Sequence, residues 1–321
     1  MKKFMFLIAI VLSAGISRAA GPYPDSVPAG DKGIKRTFFH FSLVPPVGTN
    51  GKHAADYSNA VSVNLLAGLS GGERAFAVSG ISGIILGDAA GLQAACVSNH
   101  VRGDGKGLEI AGILNRVKGT FDGLQISAAV NAAGNVRGVQ AAGLANVAKK
   151  VRGVQVATLV NVAEESDWPI GLINIIKEGE KLIGVTYDTF GNTLVAFRSG
   201  GKYTYGIIGA GFNPFLDNTI VTEAGLGIHI PVCRWFRVDN EFKATVMGAV
   251  SESSSLDAGW LLAPSFIIGR HFNLSAGVSL NGLFGSSAEV MARLGPEMII
   301  GTGNAGQRYH IGYQAGIHYR F

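Results

Sequence analysis

Cysteine is almost missing from this chain. Cys96 and Cys233 are the only two among 321 residues. One pair so distant in sequence is no framework for a disulfide-stapled fold, and whether the two join stays open. Charge is scarce as well, with Asp, Glu, Lys and Arg at 15% against an ordinary ~25%. Helical periodicity is rare. Beyond the first residues no segment holds the ~18 uninterrupted apolar residues of a spanning helix, which excludes helical membrane spans but not spanning strands.

What is abundant is glycine, 46 residues, about twice ordinary usage. Short alternating runs are separated by Gly, Asp, Asn and Ser clusters. This is an all-β composition. At the start, Lys2 and Lys3 precede an apolar run and then Ser17-Arg18-Ala19, the three parts of a secretory signal peptide. Residues 1–19 are therefore expected to be a leader cleaved after Ala19, with 20–35 a linker. The residue after the cleavage site is Ala20, not Cys, so nothing points to a lipid-anchored N-terminus. Removing Lys2, Lys3 and Arg18 takes the 27 basic residues to 24 against 22 acidic ones. The high whole-chain pI is then no nucleic-acid signal, and no nucleic-acid partner is expected.

The stretches "VRGVQAAGLANVAKK" (136–150) and "VRGVQVATLVNVAEE" (151–165) are nearly the same unit written twice. Its consensus, Gly-(Leu/Val)-Gln-x5-Asn, recurs at Gly91 (Gln93, Asn99), Gly107 (Glu109, Asn115), Gly123 (Gln125, Asn131), Gly138 (Gln140, Asn146) and Gly153 (Gln155, Asn161). Weaker copies start at Ala60, Ala75 and Ser166, the last closing on Asn174. Spacings of 13 to 16 residues between starts mark an array of supersecondary units over 36–180. Read as one strand, each copy puts amides on one face and aliphatic residues on the other.

Two arrangements follow. In a parallel solenoid the copies stack and Gln and Asn form ladders. In an antiparallel meander the near-palindrome of Gln at position 3 and Asn at position 9 pairs amide with amide. Hairpin turns then fall near Gly72-Glu73, Gly87-Asp88-Ala89, Gly103-Asp104-Gly105, Gly119-Thr120-Phe121, Asn135-Val136, Lys150-Val151 and Glu164-Glu165. Gly-Asp-rich turns favour the antiparallel form. The amide rows would then point into a barrel interior.

Residues 181–321 keep the alternation without the repeat. "RYHIGYQAGIHYRF" sets Tyr309, Ile311, Tyr313, Ala315, Ile317, Tyr319 and Phe321 opposite His310, Gly312, Gln314, Gly316, His318 and Arg320. "TIVTEAGLGIHIP", "NEFKATVMGAV" and "HFNLSAGVSLNGLF" alternate likewise, at about the 9–11 residues a tilted spanning strand needs. Counting a candidate at 36–44 and the repeat copies, the expectation is an antiparallel transmembrane barrel of roughly 16–18 strands. The parity near Leu294-Gly295-Pro296 is ambiguous. A mean hydropathy of +0.29 sits badly with a wide wet pore. The lumen is therefore narrow, flattened or plugged, or the repeats form a separate parallel solenoid beside a smaller barrel.

The final strand resembles the closing strand of bacterial outer-membrane barrels, which implies Tyr319 and Phe321 as a signal to the barrel-assembly machinery. The run "FSLVPPVGTNG", "SVNLLAG", the serial "GLQ…N" units and "IGLIN" resemble the exported "surface repeat-containing" proteins of spirochaetes and Bacteroidota, over about 38–174. "AFA" and Gly83 depart from the pattern at the second copy. The resemblance implies a place in the cell envelope and no particular chemistry.

Chemical motifs are weak. "GLSGG" (Gly68, Ser70, Gly72) lacks the strand-to-helix context of a nucleophile elbow, and "GTGNAG" precedes a strand where a dinucleotide site needs a helix. His310 and His318 lie too far apart on one strand to share a metal. Arg102-Gly103-Asp104 matches an adhesion tripeptide, though Asp104-Gly105 suits a turn equally well. No catalytic residue, metal or cofactor is expected. The expected partners are outer-membrane lipid and the assembly machinery, with oligomeric state open. The expected function is an outer-membrane surface protein with a structural or permeability role. An adhesin or binding solenoid is the alternative, and a membrane-embedded hydrolase a remote one.

Overall fold

The computed structural model describes residues 33–248, 254–285, 288–303 and 307–321. The expected leader and most of the linker lie outside them. Nearly everything described is strand, in one 16-stranded and one 9-stranded sheet.

From Tyr57 to Ile176 the chain winds through eight coils. Each coil is a strand, a two-residue corner and a second strand, as in Gly105–Ala111, Gly112-Ile113 and the strand beginning at Leu114. Successive coils pair parallel and residue for residue. Gly123, Leu124 and Gln125 face Gly138, Val139 and Gln140, which face Gly153, Val154 and Gln155. Strand Lys35–Val44 adds in parallel to the first coil. The antiparallel expectation is thus overturned, and the solenoid alternative is the one adopted. The segments expected to be hairpin turns carry the chain onward, from one coil into the next.

The repeat glycine explains why the coils stack this way. Gly107, Gly123, Gly138 and Gly153 hold φ between +115° and +141°, a region open to glycine and closed to most L-residues. A Cβ on Gly138 would lie 2.1 Å from the carbonyl oxygen of Gly123 beneath it, and one on Gly153 equally close to Gly138. Glycine over glycine at one register position is a demand of in-phase parallel stacking.

The corner solves the hydropathy puzzle. Alternation would place the aliphatic residue at position 7 inside with the amides. The bend at positions 6 and 7 turns it outward, and Ile113, Leu144 and Leu159 are exposed. The interior is filled by the two amide rows and by apolar contacts among Val117, Phe121 and Val101 in one stretch and Val136, Val151 and Ile176 in the next.

At Lys181 a second architecture begins. Strands Lys181–Asp188, Thr193–Gly200, Thr204–Asn213, Thr219–Cys233, Phe236–Met247, Ser255–Ile268, Phe272–Phe284 and Arg308–Arg320 pair antiparallel in order. The first then pairs with the last, Tyr187 facing Ala315, so the sheet closes into an eight-stranded barrel. The count of 16–18 fails because the repeat strands and Lys35–Val44 belong to the solenoid. The ambiguous stretch near Leu294 is a short helix, Ala288–Ala292, and a 3-10 turn, Pro296–Met298.

Barrel faces follow the alternation. Val195, Ile228, Phe242, Trp260, Val278 and Ile317 point outward and exposed, while Arg198, Glu241, Glu223, His229 and His318 are buried inside. The tight turns at 201–203, 234–235 and 269–271 share one end with the C-terminus. Aromatic residues gather at that end: Trp235 stacks on Phe266 at 6.2 Å, and Tyr319 packs edge-on against Phe272 and Phe321. Longer connections lie at the opposite end.

The last coil of the solenoid seats on the outer wall of the second and third barrel strands, near the tight-turn end. Thr204 Oγ1 donates to the carbonyl of Pro169 at 2.7 Å, and the main-chain N–H of Asn174 donates to Ser199 Oγ at 3.0 Å. Trp168 stacks on Tyr203 at 5.0 Å. A Cβ on Gly206 would lie 2.1 Å from the Leu172 carbonyl oxygen, so only glycine lets the corner come so close.

Candidate functional site

Two polar interiors are candidates, one in each architecture. In the solenoid, Gln125, Gln140, Gln155, Asn115, Asn131, Asn146, Asn161 and Asn174 have no exposed surface, and Gln93, Asn99 and Glu109 have 3% or less. The expected amide rows are real and point inward. They point into the solenoid interior, not a barrel lumen.

Each row is a hydrogen-bonded ladder. Gln140 Nε2 donates to Gln125 Oε1 at 2.8 Å and Gln155 Nε2 to Gln140 Oε1 at 3.0 Å. Asn99, Asn115, Asn131, Asn146 and Asn161 each donate to the next asparagine at 2.9–3.1 Å. The asparagines also donate to main-chain carbonyls, as Asn131 does to Ala141 at 2.8 Å. That bond ties one coil to the next, and a longer one from Asn131 to the Gln125 carbonyl at 3.3 Å ties the two strands of its own coil across the corner. An amide both donates and accepts, so a column of identical amides satisfies itself.

Glu109 interrupts the glutamine row. Gln125 Nε2 donates to its Oε2 at 2.7 Å, while Glu109 Oε1 and Gln93 Oε1, on adjacent rungs, have no partner. Burial raises the Glu109 pKa to about 7, the hydrogen bond from Gln125 working against it. The folded chain therefore holds a proton that the unfolded chain, at the ordinary value of 4.5, releases. Stability from this group is fully present below pH ~4.5, falls through the window up to ~7 and is lost above it, by about 3 kcal/mol. Glu109→Gln is expected to flatten that pH dependence and raise the melting temperature at pH 8. Its new Nε2 would supply Gln93 Oε1 with a donor. Thermal melts of both proteins between pH 4 and 8 check this.

The barrel lumen is a stack of ion pairs. Nearest the tight turns, Arg237 donates to Glu180 at 2.6 Å, and His229 meets Asp239 at 2.6 Å and Glu180 at 3.2 Å. In the next layer Arg198 grips Glu241 in a two-pronged contact at 2.9 and 3.2 Å, joined by Tyr205 at 3.0 Å and by His318. Beyond these, Lys243 bonds to Glu223 at 2.9 Å and to Gln314, and Asp257 accepts from Asn281 and His310, both at 2.9 Å. The far end is stoppered by apolar side chains. Val290 and Leu294 of the long last connection pack on Phe190, Leu194, Val221, Met247 and Leu283. Between stopper and ion pairs lies a cavity of about 30 Å³ bordered by Glu223, Lys243 and Asp257, room for about two waters.

This network was half visible in the sequence. Alternation put Glu223, His229, Glu241, Lys243, His310 and His318 on inward faces, but their partners sit on other strands, and strand spacing alone pairs none of them. Arg198 gave no local signal. Asp104 of the tripeptide accepts from the Thr120 amide at 2.7 Å, as Asp88 does from Asp104 at 2.8 Å. Its carboxylate thus joins one coil to the next. Cys96 and Cys233 are free and exposed. Among the described residues no group of three His, Cys, Asp or Glu side chains could hold a metal, and no helix is long and apolar enough to cross a membrane.

No protein family and no curated protein matches the chain. A solved structure described as a de novo designed transmembrane β-barrel aligns at 14% identity and a TM-score of 0.26, over 44% of this chain and 94% of its own.

Proposed function

We propose that the chain is an exported outer-membrane protein whose barrel anchors the solenoid beside the bilayer, a structural and presenting role in the cell envelope. The observation that carries this reading is the inversion of the barrel. Its outer wall bears exposed Val195, Phe242, Trp260 and Val278, while Arg198 and Glu241 are buried within. A water-soluble barrel has the opposite arrangement, and an apolar outer band with aromatic rings at its edge belongs to lipid. A permeability role is disfavoured because the lumen is packed with paired charges and stoppered. In outer-membrane barrels short turns face the periplasm, which would place the solenoid there. The leader expected at 1–19, the closing Tyr319 and Phe321, and the resemblance to surface repeat proteins all support export and assembly in that membrane.

The test has two readouts. Unboiled protein from the outer-membrane fraction is expected to migrate faster on a gel than boiled protein. In planar bilayers the purified protein is expected to give no steady conductance. Unchanged mobility would sink the membrane barrel, and regular single-channel steps would sink the closed lumen.

A further inference from the structure

Resting on that membrane reading, we propose that the solenoid lies flat along the bilayer with its corner edge sunk in the lipid interface. The corner is uncharged and mostly apolar along its whole length. Position 7 is Ile81, Val97, Ile113, Leu144 and Leu159 in five coils, 37–54% exposed, and position 6 beside it is small or apolar. No corner residue from Leu65 to Leu172 is charged. Aliphatic columns flank it, with Ile110, Ile126 and Val156 also exposed. The opposite edge, where coil passes to coil, carries Asp104, Lys118, Lys149, Lys150 and Glu164. A soluble solenoid has no use for such a division, and an exposed apolar stripe of this length calls for a cover.

The seating of the last coil says what covers it. The solenoid ends against the barrel wall, so its stacking axis leaves the barrel sideways, and eight coils at ~4.8 Å reach roughly 35 Å from the wall. Its roll about that axis is fixed by contacts. The corner carbonyls of Gly171 and Leu172 touch Gly206, whose register partner is Ser199. Ser166 and Pro169 touch Gly201, in the tight turn. The corner is thus the edge nearer the middle of the barrel, and the charged edge faces away. Just beyond Gly206 along the same wall stand Ile208 and, on the neighbouring strand, exposed Val195. The corner row therefore continues the barrel's own lipid belt. Charged, apolar-edged elements that lie in the interface bind by this division of faces. The occupant is the leaflet around the tight-turn end of the barrel.

Cys96, exposed at a position 6, is a native probe site. The full chain bearing Cys233→Ser, labelled at Cys96 with an environment-sensitive fluorophore, is reconstituted in phosphatidylcholine vesicles containing acyl-chain-brominated lipid. Two further single-cysteine proteins, Val278→Cys and Lys118→Cys in a Cys96→Ser, Cys233→Ser background, mark the barrel belt and the charged edge. Expected is quenching at Cys96 and at Val278→Cys and none at Lys118→Cys. Adding Ile113→Glu and Leu144→Glu should cut quenching at Cys96 by about twofold or more while the Val278→Cys signal holds. Quenching at Val278→Cys without quenching at Cys96 overturns the edge-on solenoid and leaves the membrane barrel standing. No quenching at either overturns both readings. Quenching at Lys118→Cys overturns the edge-on geometry.

Discussion

Arg198→Ala is expected to cost the barrel about 3–5 kcal/mol, the largest single effect in the barrel. The guanidinium and the Glu241 carboxylate are 6% and 2% exposed and meet through two nearly parallel hydrogen bonds. Truncation leaves a buried carboxylate with Tyr205 at 3.0 Å and, as its remaining charged partner, Lys243 at 3.8 Å, beyond hydrogen-bonding distance. The penalty is the desolvated anion, more than the lost attraction. Arg198→Lys should fall in between, since an ammonium cannot make the two-pronged contact. The double change Arg198→Met with Glu241→Gln should recover most of the loss by removing both charges, with the new amide still accepting from Tyr205. The temperature at which the fast-migrating form disappears on a gel measures all three. An Arg198→Ala barrel that melts with the parent would mean that water reaches Glu241 and that the lumen is not sealed.

How far the sequence foretold this molecule differs between its halves. The barrel strands were plain because each alternates alone: "HIGYQAGIHY" needs no partner to show which side chains face outward. The repeat was harder. Its inward amides and outward aliphatics were legible, but the strand direction was not. Gln at position 3 and Asn at position 9 make a unit that pairs with itself in either sense. Two local features carried the answer. The glycine at position 1 of the five clear copies stands over another glycine in every coil from Gly107 to Gly153, which only in-phase parallel copies bring about. The small-then-aliphatic pair at positions 6 and 7, such as Gly112-Ile113, breaks alternation because the chain turns there. Taken as straight strands, the copies doubled the barrel. The apolar stopper escaped notice because Phe190, Leu216, Val290 and Leu294 come from three connections that share no sequence pattern.

The asparagine row yields the second large effect. Asn131→Ala is expected to destabilise the solenoid by about 3–4 kcal/mol, because buried groups on both sides lose partners at once. Asn146 Oδ1 loses its donor at 3.1 Å and Asn115 Nδ2 loses its acceptor at 2.9 Å. The main-chain carbonyls of Ala141 and Gln125 lose the amide that bridges them at 2.8 and 3.3 Å. Asn131→Asp, nearly the same shape, should be worse still, since the carboxylate would face three acceptors and donate to none. Asn64→Ala is the control. It lies in the first coil and makes one amide contact, to Ser79 Oγ at 3.1 Å, so it should cost less than half as much. In a linear array each coil is stabilised only by its neighbours, so a lesion at the middle parts the stack, whereas one at the end merely frays it. Amide hydrogen exchange is the measurement. Asn131→Ala should speed exchange throughout the coils on either side of it, and Asn64→Ala only near the first. Equal and local effects from the two would show the amides to be independent caps, with no cooperative ladder between them.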